Sequence, residues 1–234
     1  MKPSWKPLMV VAFGLGAMAA PPAEAAAATT PNAPSACQLG LTTEIALIHP
    51  LASIKGPGSC GAEDIVRLDA VVLKDGRRIA LTPAATLRCP MAEAVARWIR
   101  EEVAPAAATF GSPVRTIVAG ALYECRGRDR DPSAKVSEHG HANALDLRGL
   151  RLANGMAIDF TDKSAPREFR ERMRHSACTA FSTVLGPGSD GYHENHIHLD
   201  LIERAGGYRL CQWDVLTAPE VPSVLLPPER PHAE

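Results

Sequence analysis

"SEHGHANALDL", Ser137 to Leu147, brings two histidines and an aspartate into one short stretch, and "HENHIHLDL", His193 to Leu201, brings three more histidines and another aspartate. How the chain bends around these stretches decides the fold, because atoms bound about 2 Å from one metal ion must lie within a few Å of one another. On a helix, His139 and Asp146 would share a face but stand about 10 Å apart along the axis. On one regular strand, their odd separation would send them to opposite faces. They can meet only across a bend, which Gly140 and the small pair Ala142-Asn143 supply. His139 is therefore expected to end a loop and Asp146 to lie in a strand. The second stretch needs no such bend. His196, His198 and Asp200 are spaced by two, so a strand points all three to one face, and His193 in the loop before them can fold back to the same side.

Five of the eight histidines (His139, His141, His193, His196 and His198) fall in these two stretches, a concentration that scattered surface histidines would rarely give. The plainer alternative is a set of exposed loop histidines, or a core pair of His139 with Asp146. Neutral imidazoles with one carboxylate suit Zn²⁺, and three protein ligands leave a fourth position open, as catalytic sites do. Closure of that position by His196 or His141 would make the site structural instead.

Around these stretches the pattern is mixed. "IVRLDAVVLKDGRRIALTPAATL" alternates apolar and polar residues about a turn at Lys74 to Arg77 and predicts a hairpin. "PMAEAVARWIREEVAPAAATF", from Pro90, spaces Met91, Ala94, Val95, Trp98, Ile99 and Val103 as one helical face, with the proline near the helix start. A strand is expected over "RTIVAGALYECR", a hairpin from Ala144 to Phe160 turning at Asn154-Gly155, a helix from about Ala165 to Leu185, and a strand over "HIHLDLI". The sum is an α+β fold, a mainly antiparallel sheet with flanking helices.

The N-terminus places Lys2 and Lys6 before an apolar run of about 13 residues, Leu8 to Ala20, and small residues follow up to Ala23-Glu24-Ala25. A membrane span needs roughly 20 residues, so this reads as a cleaved export signal over residues 1–25. Residues 26–36 read as a linker, 37–217 as one domain, and 218–234 as a proline-rich tail. No later segment is apolar enough to span a bilayer, so no membrane span is expected in the mature protein, which would be periplasmic. With a net charge of -1 and no basic stripe, nucleic acid is not an expected partner. All six cysteines follow the signal, an even number that predicts disulfides in an exported chain. The count does not determine connectivity; pairing of neighbours (37 with 60, 89 with 125, 178 with 211) is the working assignment. Each bridge would contribute roughly 3–4 kcal/mol.

"SEHGHANALDL" resembles the S-x-H-x-x-G-x-A-x-D motif of D-Ala-D-Ala carboxypeptidases of the LAS metallopeptidase group, and "HENHIHLDL" resembles the closing H-x-H motif of that group. The spacing of His193, His196 and His198 is similar to that of penicillin-insensitive murein endopeptidases. Over Cys37 to Trp213, with "YECRGR", "ACTAFSTVLGPGSDGYHENHIHLDL" and "YRLCQW", the chain resembles bacterial extensin-like C-terminal domain proteins. The resemblance implies a LAS/hedgehog-type fold, His139, Asp146 and His198 as zinc ligands, and His196 and His193 as catalytic histidines. It further implies Arg126 near the scissile carbonyl, and Ser137 and Asp200 behind the ligands, holding histidine tautomers. Ala142 stands where the motif has Gly, which matters if that position needs φ > 0. Asn195 stands where an E-x-x-H glutamate would precede His198, so histidine is the expected base. The implied function is zinc-dependent hydrolysis of peptidoglycan stem peptides or crosslinks, as endopeptidase or carboxypeptidase. A non-catalytic wall-binding protein that retains the zinc site is the rival.

Overall fold

The computed structural model describes residues 33–215. The expected export signal, the linker up to residue 32 and the tail from residue 218 lie outside them. Eleven strands are described: β1 (Ala46–Leu51), β2 (Ile54–Lys55), β3 (Gly61–Ala62), β4 (Ile65–Val72), β5 (Arg78–Arg88), β6 (Val114–Ala119), β7 (Ala144–Leu152), β8 (Ala157–Asp159), β9 (Thr183–Leu185), β10 (Ile197–Asp200) and β11 (Leu210–Gln212). Nine of them form one sheet in the order β1-β4-β5-β6-β7-β10-β9-β11, with β8 beside β7, while β2 and β3 pair separately. Neighbours run antiparallel except β5 with β6 and β9 with β11. The helices are α1 (Ala36–Gly40), α2 (Cys89–Trp98), α3 (Ala104–Ala107), joined to α2 by a π turn over Ile99–Val103, and α4 (Arg167–Ala180).

Strands β7 and β10 are buried on both faces where they pair, and their alternation separates two environments. Leu145 and Leu147 of β7 join Ile197 and Leu199 of β10 in the apolar core. Asp146, His198 and Asp200, at the intervening positions, point to the other face and are also buried. On the core side, Trp98 of α2 meets Phe181 edge-on at 5.8 Å between ring centroids, and its indole N–H donates to Ser176 Oγ of α4 at 2.9 Å. Truncating an aromatic so placed costs about 3–5 kcal/mol. The apolar face thus gives the sheet a rigid backing, and the polar face presents the candidate site.

Three expectations need correction. The helix expected to run to Leu185 stops at Ala180, because Phe181 turns to extended geometry (φ -113°, ψ 153°) and buries its ring, releasing Thr183–Leu185 to pair with β10. The strand expected to run through Arg126 ends at Ala119. Beyond it the chain follows β7 irregularly, with Gly120 N–H donating to the Asp146 carbonyl and Asp146 N–H to the Ala121 carbonyl. A Cβ on Gly120 would lie 3.1 Å from the Asp146 Cβ, so the glycine leaves room for the aspartate. The disulfides are Cys37–Cys89, Cys60–Cys125 and Cys178–Cys211. Only the last follows neighbour pairing, because the others join segments that the sheet brings together from far apart in sequence.

Candidate metal centre

Asp146 and His198 are directly opposed residues of the paired strands β7 and β10, which carries both side chains to the same face. His198 Nδ1 lies 3.0 Å from Asp146 Oδ1. His139 arrives from a 3-10 turn over Glu138–His141, which Ser137 caps by accepting from the His139 N–H. That turn reverses at Ala142, a buried residue in left-handed geometry (φ 49°, ψ 27°). Asn143 locks the reversal, its N–H donating to the Glu138 carbonyl and its side-chain amide to Glu138 Oε2 at 2.7 Å. The bend swings His139 over the strand pair, with Nε2 at 3.2 Å from both Asp146 Oδ1 and His198 Nδ1.

The outer hydrogen bonds determine what these three atoms offer. His139 Nδ1 lies 2.9 Å from the Leu122 carbonyl, which can only accept, so the neutral ring carries its proton on Nδ1 and a lone pair on Nε2. His198 Nε2 lies 3.1 Å from Asp200 Oδ2, so the neutral ring carries its proton there and a lone pair on Nδ1. Two imidazole lone pairs and a carboxylate oxygen therefore face one another in a buried space, an arrangement that calls for a cation. Around an ion with bonds of about 2.05 Å, a tetrahedral edge is about 3.3 Å, close to the spacing found, so the residues fit Zn²⁺.

Without a cation, protons take over. Burial lowers the basicity of His198, but hydrogen bonds to Asp146 and Asp200 outweigh it and push its pKa up to about 9. Burial likewise raises Asp146, yet hydrogen bonds from His139 and His198 hold it far below the usual carboxylate range. Among the described residues, no fourth donor joins His139, Asp146 and His198. One other triple comes close, Cys37, Asp64 and Cys89, but its cysteines are joined in a disulfide. His141 and His196 stand outside the grouping, leaving the fourth position open on the protein side.

Beside the centre lies a cavity of about 150 Å³ lined by His139, His198, His193 and Arg126 among others. His193 Nδ1 sits 2.8 Å from both Asp190 carboxylate oxygens, which leaves Nε2 as the nitrogen able to exchange a proton. His196 Nδ1 meets Asn195 Oδ1 at 2.9 Å, while Nε2 reaches Asp146 Oδ2 at 3.4 Å. Burial, and then the neighbouring His193, His198 and Arg148, lower its basicity against the pull of Asp146. Arg126 reaches the cavity with its Nε donating to Glu124 Oε2 at 2.8 Å. Glu194 accepts from the Gly188 N–H on Oε1 at 3.0 Å.

Asp200, which the resemblance sets behind the ligands, lies with Oδ2 3.1 Å from His198 Nε2. The ring hold expected of Ser137 falls instead to the Leu122 carbonyl, and the Ser137 hydroxyl accepts from the His139 backbone N–H. Leu122 could not have been found from side-chain patterns, since it acts through its main chain. Asp190, three residues before His193, could have been found from that short acid–histidine spacing.

A disulfide-stapled α+β domain with an open, buried His-Asp-His grouping is thus the class that fold and site define. Residues 35–212 match the family model described as extensin-like protein C-terminus, and the chain belongs to that family. No curated protein and no solved structure matches it.

Proposed function

We propose that this protein is an exported zinc-dependent hydrolase of peptidoglycan peptides. The observation that carries the reading is the convergence of His139 Nε2, Asp146 Oδ1 and His198 Nδ1, where the outer partners of the two neutral rings hold their protons on the far nitrogens. When bound, zinc supplies Lewis-acid polarisation of the scissile carbonyl and activation of water. The motif likeness to LAS-type peptidases supplies the reaction class. Three disulfides among the described residues support an oxidising compartment such as the periplasm. Among those residues no helix is long and apolar enough to cross a membrane.

The protein's own groups take complementary roles. His193, oriented by Asp190 through Nδ1, presents Nε2 to accept a proton and return it to the leaving amine. His196, its basicity lowered by burial, stands with Nε2 3.4 Å from the outer oxygen of Asp146. Arg126 offers N–H donors to charge developing on the carbonyl oxygen. Zinc-loaded protein incubated with purified sacculi is expected to release new muropeptides on chromatography, chelation should stop this, and His193→Ala should slow it about 10²–10⁴-fold. Fully zinc-loaded protein that releases nothing would favour the wall-binding reading over catalysis.

A further inference from the structure

A row of polar side chains continues outward from the centre. In the pairing of β10 with β9, Asp200 stands directly opposite Thr183, and both are buried, at 5% and 3% exposure. Arg204, in the loop after β10, donates from Nη2 to Thr183 Oγ1 at 2.7 Å and from Nη1 to the Ser182 carbonyl at 3.0 Å. Its ring neighbour is Tyr208, with the guanidinium carbon 6.0 Å from the ring centroid. Among the described residues no carboxylate pairs directly with Arg204. A guanidinium can only donate, so Thr183 Oγ1 must accept from it, and the hydroxyl proton is left for another acceptor. The acceptor that the strand pairing sets directly opposite it is the Asp200 carboxylate. Asp200 also accepts from the Ile202 N–H on Oδ1 at 3.0 Å and from His198 Nε2 on Oδ2 at 3.1 Å.

We propose that Arg204 and Thr183 are positioning residues for the metal centre, acting through Asp200 to hold the His198 ring with its Nδ1 lone pair on the site. This rests on the zinc reading for its consequence but not for its geometry. The permanently charged Arg204 commits the threonine proton to Asp200, and Asp200, with Oδ1 already accepting from the Ile202 N–H, is fixed with Oδ2 as the acceptor for His198 Nε2–H. The three links carry the influence of a loop residue to a ligand it does not touch.

Two readouts test this, one with metal and one without. In competition with a chromophoric chelator, Thr183→Val should weaken zinc binding by about 10–100-fold, while Thr183→Ser, which keeps the hydroxyl, should stay near the parent. Arg204→Gln should weaken it less, and adding it to Thr183→Val should cost little more. In chelator-treated protein, ¹H–¹⁵N spectra should show a protected His198 Nε2–H that Thr183→Ser retains and that exchanges about tenfold faster in Thr183→Val. An unchanged Nε2–H signal in Thr183→Val would overturn the proposal, as would fully additive losses for Arg204→Gln and Thr183→Val. A parent protein that binds no zinc yet shows the expected Nε2–H pattern would defeat the zinc reading and leave the relay standing. The melting temperature of each variant in chelator separates these effects from failure to fold.

Discussion

At the scale of single residues, Asp146 is where the site concentrates its charge. It has hydrogen-bonding partners in His139 and His198, with His196 at its outer oxygen, and its own Oδ1 is one of the three converging atoms. Asp146→Ala is expected to cost more than the roughly 100-fold that loss of an outer-shell partner can bring, so metal analysis should find the protein empty. Glu194→Ala, whose carboxylate serves Gly188, should keep about one zinc per chain; equal loss in both variants would refute the ligand assignment. Ala142 is a second informative residue, because its left-handed geometry has been realised without glycine. Relief of that strain by Ala142→Gly, about 1–2 kcal/mol, is offset by a more flexible unfolded chain and a lost buried methyl, so urea unfolding should stay within about 1 kcal/mol of the parent. Ala142→Val, β-branched at the same φ, should be destabilised by about 2 kcal/mol or more. A valine variant as stable as the parent would mean the turn does not reverse there.

Between elements, the Cys60–Cys125 bridge connects the loop after β6 to the segment around β3, 65 residues apart in sequence. The same loop supplies Leu122 to His139 and Arg126 to the cavity. Gly140 of the ligand turn also packs against the bridge: a Cβ there would lie 3.1 Å from Cys60 Sγ. Replacing both cysteines by serine should cost about 4 kcal/mol by loop entropy and weaken zinc binding at the same time. Loss of stability with unchanged zinc affinity would show that the bridge serves the fold alone. What could be read from the sequence follows the range of each interaction. The β4–β5 and β7–β8 hairpins and the α2 face were visible because turn residues and apolar periodicity are local. The bend between His139 and Asp146 was visible because ligand spacing excludes a straight strand or helix. The strands β9 and β11, three residues each, were invisible because their pattern is too short to read and their pairing comes from distant β10 and from each other. The pairing of Cys37 with Cys89 was invisible for the same reason.

Across the described residues the nine-stranded sheet serves two purposes, with an apolar face that supplies stability and a polar face whose buried charges tie stability to pH and, through the proposed zinc, to metal. In the metal-free protein His198 has its pKa raised to about 9, against about 6.5 in an unfolded chain. A raised pKa contributes stability that is complete below about pH 6.5 and is lost as pH rises through 9. Asp146 and Asp200 are depressed, so their contribution is present above an unfolded value of about 3.9 and is lost as pH falls through their folded values. Metal-free protein should therefore melt at its highest temperature on account of these groups between about pH 4 and 6.5, and at falling temperatures from there to pH 9. Zinc binding must displace the His198 proton, so affinity should rise about tenfold per pH unit across that same window, and the zinc-loaded protein should not share the decline. The gap in melting temperature between loaded and chelated protein is thus expected to widen steadily from pH 6.5 to 9. Thermal scans in buffers of constant ionic strength measure it directly. A gap that stays constant, with a metal-free melting temperature flat across the window, would mean that His198 is not the group whose proton the metal replaces.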